Sequence, residues 1–214
     1  MIDMKEIKRK INGANDIGDF LKIWIDNQLI NGENANTFNS YYSSFKNNFS
    51  NRIKNIYTDQ TNEIMNIINQ KNNPKLLEIG CGLGTELLWF SYMGADVDAI
   101  DVNSKRLDCA NERLDILNKI MDFKLTCRFN KKSVLDITDS YDIIWLEQTF
   151  HHLEPRGEIV KKIGEILNKG GHLIIADQNA WNIPLQLQLF KQRGFPKVVS
   201  RVNEKGDSIL YGDE

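Results

Sequence analysis

Three glycines alternate with other residues directly after an apolar stretch of this chain. The apolar stretch is 76–79, the glycines are Gly80, Gly82 and Gly84, and a helix-forming run begins at residue 85. Glycines at a turn from strand to helix permit positive φ angles and let a ligand lie against the backbone. The first N–H groups of the helix lack partners within it and point toward whatever binds there. The pattern therefore predicts a nucleotide-like ligand at this turn.

Two common nucleotide motifs do not fit the turn. The dinucleotide fingerprint G-x-G-x-x-G requires its third glycine where this chain has Thr85. A P-loop requires Gly-Lys-Ser/Thr, and this sequence does not follow the glycines. An NAD(P)-dependent oxidoreductase, which would share the same strand–helix–strand unit, is the less favoured alternative because of the misplaced glycine.

Asp101 ends a second predicted strand, 97–101, about twenty residues after the first glycine. At this spacing a carboxylate can accept hydrogen bonds from both ribose hydroxyls of a bound nucleoside. Such charge-assisted hydrogen bonds are stronger than neutral ones. Alternatively, Asp101 could simply end the strand or help to begin the next helix. Asn103 and Ser104 are better placed to cap that helix, which favours the ribose role.

Beyond Asp101 the sequence alternates between short apolar runs and amphipathic helical patterns. Three further strands are predicted at 123–127, 141–146 and 172–177, and the helix before the last one is expected to end at Gly170 and Gly171. Strands alternating with helices indicate an α/β fold with a doubly wound, mostly parallel sheet. Such sheets bind ligands beyond the carboxyl ends of their strands.

Several motifs resemble those of the class I S-adenosylmethionine-dependent methyltransferases, over residues 75–179. The run from Glu78 to Gly84 is similar to their motif I, E-x-G-x-G-x-G, and 140–144 is similar to the segment that leads into their fourth strand. Phe150-His151-His152-Leu153 resembles the "HHL" of many small-molecule methyltransferases, and 166–173 resembles the turn before their fifth strand, without its proline. The resemblance implies a Rossmann-like methyltransferase fold.

The same resemblance implies S-adenosylmethionine as the cofactor and a set of residues in contact with it. The glycines would pass beneath the methionine and ribose portions, Glu78 would organise polar contacts near the amino group, and Asp101 would hold the ribose. The adenine would meet residues that follow the second and third strands. The implied cofactor-binding residues are Glu78, Gly80, Cys81, Gly82, Gly84, Asp101, Val102, Ser133, Val134, Glu147 and Gln148.

Methyl transfer needs a nucleophile held in line with the activated methyl group. A hydroxyl acceptor also needs a base, and His152 and His151 are the candidates because imidazole titrates near neutral pH. His152 is preferred, since it matches the histidine of the family's motif; the alternative is a structural role at a helix start. With three histidines in the chain and no ligand spacing beyond this adjacent pair, no metal site is predicted.

Residues 1–73 have a different character and are interpreted as an N-terminal helical cap or lid, with residues 74–214 as the cofactor-binding core. Apolar positions in 16–29 and 53–68 recur at helical spacing, and the segment between them is rich in aromatic residues. Packing against the sheet edge explains most of these side chains. Tyr41 or Tyr42 could instead contact the sulfonium through a cation–π interaction.

The C-terminal part differs from the family's usual seven-stranded sheet. After residue 177 the sequence predicts a short helix at 184–190 and leaves too little chain for a further helix and two strands. The C-terminal strands are therefore expected to be incomplete, through truncation or completion by another polypeptide. An exposed sheet edge would favour homo-oligomers or a partner chain.

Composition narrows the remaining function classes. The net charge of −2 and the lack of a basic cluster argue against nucleic acid, and no apolar run approaches membrane-spanning length. Three cysteines without C-x-x-C spacing suggest reduced thiols in the cytoplasm. The prediction is methyl transfer to an O, N or C nucleophile of a small molecule by in-line displacement; the alternative is a non-catalytic or partner-dependent cofactor-binding module.

Overall fold

The structure, a computed structural model, describes residues 3–43, 45, 51–177, 187, 200–202 and 208–210. The α-helices of this part are α1 (Met4–Asn12), α2 (Ile17–Asn27), α3 (Gly32–Tyr41), α4 (Asn51–Gln70), α5 (Thr85–Tyr92), α6 (Ser104–Ile120) and α7 (Arg156–Ile166). Its strands are β1 (Lys75–Ile79), β2 (Asp96–Ile100), β3 (Cys127–Asn130), β4 (Tyr141–Glu147), β5 (Leu167–Ala176), β6 (Ser200–Val202) and β7 (Ser208–Leu210). Short 3₁₀ turns follow β3 and β4, at Val134–Asp136 and Phe150–His152.

The first five strands form one parallel sheet in the order β3-β2-β1-β4-β5. The chain winds outward from β1 to β3, then crosses to β4 on the other side of β1. This arrangement confirms the predicted doubly wound sheet. The carboxyl ends of β1 and β4 meet at the point where the strand order reverses, which is where such sheets bind ligands.

The nearly continuous apolar runs of the central strands follow from burial on both faces of the sheet. Leu76, Ile143 and Trp145 belong to the larger of two buried clusters, together with the N-terminal helices, α5 and α6. Leu77 and Ile144, their neighbours along the strands, face the smaller cluster together with α7. Successive strand residues point to opposite faces, so both members of each pair are fully buried.

The N-terminal helices pack on helices rather than on the sheet edge, which corrects the expected placement. Helix α3 lies against α6, α2 lies against α4 and α5, and α1 lies against α2 and α6. The amphipathic pattern of 16–29 is confirmed, because Phe20, Leu21 and Trp24 are buried in the cluster that also contains sheet residues. The side chains of Ile53 and Ile56, from the second predicted stripe, lie outside the described residues.

Two predicted strand boundaries were wrong. The third strand begins at Cys127, not at Phe123, because pairing with β2 starts at Val97 and Cys127. Helix α7 ends at Ile166 rather than at the glycines, and β5 already starts at Leu167. Gly170, with φ +76°, lies inside β5, where the pairing with β4 shifts between Tyr141 and Ile143.

The C-terminal strands also differ from the expectation that too little chain remains for them. β6 and β7 form an antiparallel pair in a two-stranded sheet of their own. The helix predicted at 184–190 lies outside the described residues except for residue 187, which is helical.

Candidate cofactor and acceptor site

The glycine turn joins the end of β1 to the start of α5. Gly80, Gly82 and Gly84 have φ angles of +78°, +52° and +70°, in a backbone region that residues with side chains rarely adopt. Space is restricted as well, because a Cβ atom on Gly80 would lie 2.3 Å from Thr149 Oγ1 and one on Gly82 would lie 2.9 Å from the Tyr41 hydroxyl. Glycine is therefore required for the shape of the turn.

Asp101 follows β2 directly and fixes this turn from the neighbouring strand. Its Oδ2 accepts a hydrogen bond from the backbone N–H of Gly82 at 2.9 Å, and its Oδ1 accepts one from Asn103 at 2.8 Å. A carboxylate offers about four lone-pair sites, so these two bonds leave acceptor capacity for further donors. Asn103 caps α6, with its Oδ1 accepting from the Arg106 N–H at 3.2 Å, as expected.

A group of carboxyls, three of them buried and Glu147 half-buried, surrounds the turn; we call it the carboxylate cluster, and its members are Glu78, Glu86, Asp101 and Glu147. Burial and the charges of the other three raise the pKa of Glu78 well above its usual range. Burial also raises the pKa of Glu147 to about 8, with further contributions from Glu86 and Asp177. The Tyr57 hydroxyl donates to Glu86, whose pKa burial likewise raises. The cluster thus favours a bound proton or a cationic ligand.

Glu78 carries an additional sign of a ligand. Its side chain is 2% exposed, and its Oε2 has no hydrogen-bond partner in the described part of the chain. A buried, unpartnered carboxylate oxygen is costly unless a donor or a cation meets it. Cys81, by contrast, is a buried thiol whose pKa is raised by burial, which favours a packing role over reactivity.

The remaining predicted cofactor residues lie at the carboxyl ends of β2, β3 and β4. Val102 directly follows Asp101 and is 52% exposed, whereas Val134 is buried in the same cluster as Ile79 and Ile100. The Ser133 hydroxyl accepts from the Leu135 N–H at 3.3 Å, which gives this side chain a local capping role. Gln148 follows Glu147 with a φ of +48°, and its N–H donates to Ala176 at the end of β5.

The paired histidines occupy the 3₁₀ turn after β4. Nδ1 of His151 lies 2.8 Å from Oδ1 of Asp177, and the His151 N–H donates to Asp177 Oδ2 at 3.1 Å. The rings of His151 and His152 lie 3.8 Å apart between centroids, and His152 is the more exposed of the two. The structure thus gives an orienting carboxylate to His151, the less preferred candidate.

The two candidate tyrosines differ in their surroundings. Tyr42 is buried, and its hydroxyl lies 2.6 Å from Thr85 Oγ1, so it belongs to the core. Tyr41 is 46% exposed, its hydroxyl approaches Gly82, and the Arg106 guanidinium lies 5.5 Å from its ring centroid. Of the two rings, Tyr41 is the one at the turn.

Sequence reasoning missed Glu86, Tyr57 and Asp177. Asp177 could have been found, because it ends the strand predicted at 172–177 and the ends of parallel strands meet at one edge. Glu86, in the first turn of α5, also carried a signal, since a helix N-terminus favours acidic side chains. Tyr57 had none, because its contact with Glu86 depends on how α4 packs against α5.

Comparison with known proteins finds similarity to methyltransferases. Residues 77–175 match a family model described as a methyltransferase domain. Methyltransferase GfsG of Streptomyces halstedii is 29% identical over 106 residues, which cover 48% of this chain and 37% of that protein. The 27-O-demethylrifamycin SV methyltransferase of Amycolatopsis mediterranei (strain S699) is 24% identical over 122 residues, covering 56% and 44%. Among solved structures, YcgJ of Bacillus subtilis has a TM-score of 0.51 at 18% identity, covering 63% of this chain and 56% of that one.

These matches support a methyltransferase domain, and a further relative, TehB of Haemophilus influenzae, is named as a probable S-adenosyl-L-methionine-dependent enzyme, which supports S-adenosylmethionine as the cofactor. The chain spans less than half the length of the two curated relatives. The carboxylate cluster fits this cofactor chemically, since the cofactor carries a sulfonium and an ammonium group. The buried Oε2 of Glu78 is a suitable acceptor for such a cation.

Two further observations concern the described residues. No helix among them is long and apolar enough to cross a bilayer. No three or more of their His, Cys, Asp and Glu side chains are arranged to hold a metal ion.

Proposed function

We propose that this chain transfers the methyl group of S-adenosylmethionine to a hydroxyl group of a small molecule, with His151 as the base. The observation that supports an oxygen acceptor is the contact between His151 Nδ1 and Asp177 Oδ1, at 2.8 Å. The two side chains are 9% and 11% exposed, so their interaction is weakly screened by solvent. The name of the Amycolatopsis relative, which specifies O-methylation, supports the same acceptor atom.

Asp177 would set the tautomer of His151. When Nδ1–H donates to the Asp177 carboxylate, the lone pair lies on Nε2, which can then take the acceptor's hydroxyl proton. The carboxylate also stabilises the imidazolium that this proton transfer produces, as in other carboxylate–histidine pairs. The cofactor would supply an activated methyl group, so the new C–O bond would form as the carbon–sulfur bond breaks and S-adenosylhomocysteine leaves.

The other proposed contacts follow the implied assignment. Asp101 would accept from the ribose hydroxyls, Glu78 would face the amino group, and Glu147 would lie near the sulfonium. We propose residues 1–73 as a lid, and the position of Tyr41 over Gly82 supports this role. A cytoplasmic location and association through the sheet edge stay predictions.

The test is turnover of labelled S-adenosylmethionine against a panel of hydroxyl-bearing and amine-bearing metabolites. For the best acceptor, we expect His151→Ala to lower kcat by about 10²–10⁴-fold, the usual contribution of a positioned base, with unchanged affinity for S-adenosylhomocysteine. Asp177→Asn should lower kcat in the same direction. His172→Ala is the matched control, because His172 is an exposed side chain on β5, and it should keep wild-type turnover.

Three outcomes would contradict the proposal in different ways. Full activity of His151→Ala on a hydroxyl acceptor would remove His151 as the base, and His152→Ala would then be the variant to compare. Turnover confined to amines would assign a nitrogen acceptor. Binding of S-adenosylhomocysteine without turnover of any acceptor would favour the non-catalytic or partner-dependent module.

A further inference from the structure

Arg113, in the middle of α6, is a fully buried arginine beneath the glycine turn. Within the described part of the chain, no carboxylate lies within ion-pairing distance of its guanidinium, and its Nε and Nη2 have no hydrogen-bond partner. Burying a charged side chain is costly unless its interactions compensate for the lost water. The contacts that Arg113 makes therefore indicate which interactions compensate for its burial.

One set of contacts holds the turn itself. Nη1 of Arg113 donates to the carbonyl of Leu83 and to Thr85 Oγ1, each at 2.7 Å. Leu83 lies between two of the turn's glycines, and Thr85 is the first residue of α5. Thr85 also occupies the position at which a dinucleotide fingerprint would have its third glycine. A hydroxyl at this position gives Arg113 an acceptor that glycine could not provide.

A second set of contacts reaches the N-terminal helices. The Arg113 guanidinium lies 4.5 Å from the ring centroid of Trp24 in α2 and 5.3 Å from that of Phe38 in α3. Both rings are buried, and arginine over an aromatic face is a favourable cation–π contact. Tyr42, directly after α3, reaches the same Thr85 hydroxyl at 2.6 Å. One side chain thus contacts α2, α3 and the glycine turn.

We propose that Arg113 is a positioning residue. It couples the position of α2 and α3 to the shape of the glycine turn, and thereby to the affinity for the cofactor. This inference rests on the proposed use of the turn for S-adenosylmethionine. A shift of α3 would also move Tyr41, whose hydroxyl limits the space above Gly82. Cofactor binding and the position of the N-terminal helices are then linked, and each stabilises the other.

Arginine suits this role better than lysine does. Its planar guanidinium can contact aromatic rings through its face while its N–H groups donate in the plane, whereas an ammonium cannot do both. Arg113→Lys retains the charge and a donor but loses the planar guanidinium and its additional N–H groups. Thr85→Val retains the side-chain volume but removes the hydroxyl that accepts from Arg113 and lies within hydrogen-bond distance of Tyr42.

The experiment measures S-adenosylhomocysteine affinity by calorimetry, together with the cofactor KM and kcat. We expect Arg113→Lys and Thr85→Val each to weaken binding about tenfold and to raise the cofactor KM, with kcat changed much less. Arg128→Lys is the matched control, since Arg128 pairs with Asp96 and Asp98 on β2, and its binding should stay within about twofold of wild type. Hydrogen exchange adds a second readout: the ligand should protect α2 and α3 amides in wild type and protect them less in Arg113→Lys.

Wild-type affinity in both Arg113→Lys and Thr85→Val would overturn the coupling and leave the proposed function standing. Lower thermal stability with unchanged affinity would also overturn it, because a purely structural residue behaves in that way. If Arg113→Lys does not fold, Thr85→Val decides the question. A wild-type chain that does not bind the ligand would overturn the proposed function itself, and the coupling with it.

Discussion

Replacing Asp101 by asparagine removes one negative charge at the end of β2 with almost no change in side-chain size. Each carboxylate oxygen of Asp101 already accepts a backbone hydrogen bond, from Gly82 at 2.9 Å and from Asn103 at 2.8 Å. An asparagine has a single acceptor oxygen, so its NH₂ group would face one of these N–H donors. The substitution should therefore loosen the turn and remove the acceptor proposed for the ribose.

A hydrogen bond to a charged group contributes about 1.5–3 kcal/mol, so the loss of one such bond should weaken S-adenosylhomocysteine binding about 10–150-fold in calorimetry. Asp98→Asn is the matched control from the same strand. Asp98 is also buried but accepts from Arg128 at 2.5 Å and from the Tyr141 hydroxyl at 3.0 Å. This variant should lose stability and keep its affinity. Binding by Asp101→Asn within twofold of wild type, or equal losses in both variants, would refute the reasoning.

Two further substitutions test the turn and the carboxylate cluster. Gly84→Ala should destabilise the fold by about 2 kcal/mol or more in denaturant unfolding, because its φ is +70° and its Cβ would lie 2.8 Å from the Phe129 ring. The control is Gly164→Ala in α7, where no atom lies near the added Cβ, and it should stabilise the fold by about 0.5–1 kcal/mol. Similar effects of the two substitutions would count against the proposed strain. Because the pKa of Glu147 is raised from 4.5 to about 8, the folded state holds this proton more tightly than the unfolded chain does, and wild-type stability should fall as pH rises through that interval. Glu147→Gln stays neutral, so it should gain about 5 kcal/mol relative to wild type between pH 4.5 and 8 in unfolding titrations. Parallel pH profiles of the two proteins would show that Glu147 is not the group responsible.

Local sequence was sufficient to predict the glycine turn and the carboxylate beside it. The alternation of Gly80, Gly82 and Gly84 and the spacing to Asp101 encode a turn and a carboxylate that belong to one strand–helix–strand unit. The turn's existence follows from this local pattern, whereas its contacts with Arg113 and Tyr41 come from distant segments. The apolar run at 141–146 likewise predicted β4.

Contacts between distant segments were not predictable in this way. The edge of the sheet at which Asp177 lies could be predicted, but its hydrogen bonds to His151, 26 residues away, depend on the register in which β4 and β5 pair. The end of α7 was predicted wrongly because glycines commonly follow helices, whereas Gly170 here lies within β5. Arg113 gave no sequence signal, since a charged residue on a helix is usually solvated, and its burial depends on Trp24 and Phe38 from two other helices.

Direct titration of the wild-type chain with cofactor-related ligands tests the central claim, that the glycine turn and Asp101 bind S-adenosylmethionine. Calorimetry should show binding of S-adenosylmethionine and S-adenosylhomocysteine to one site per chain, and no binding of NAD under the same conditions. Absence of binding by both adenosyl compounds, or binding of NAD in their place, would contradict the account.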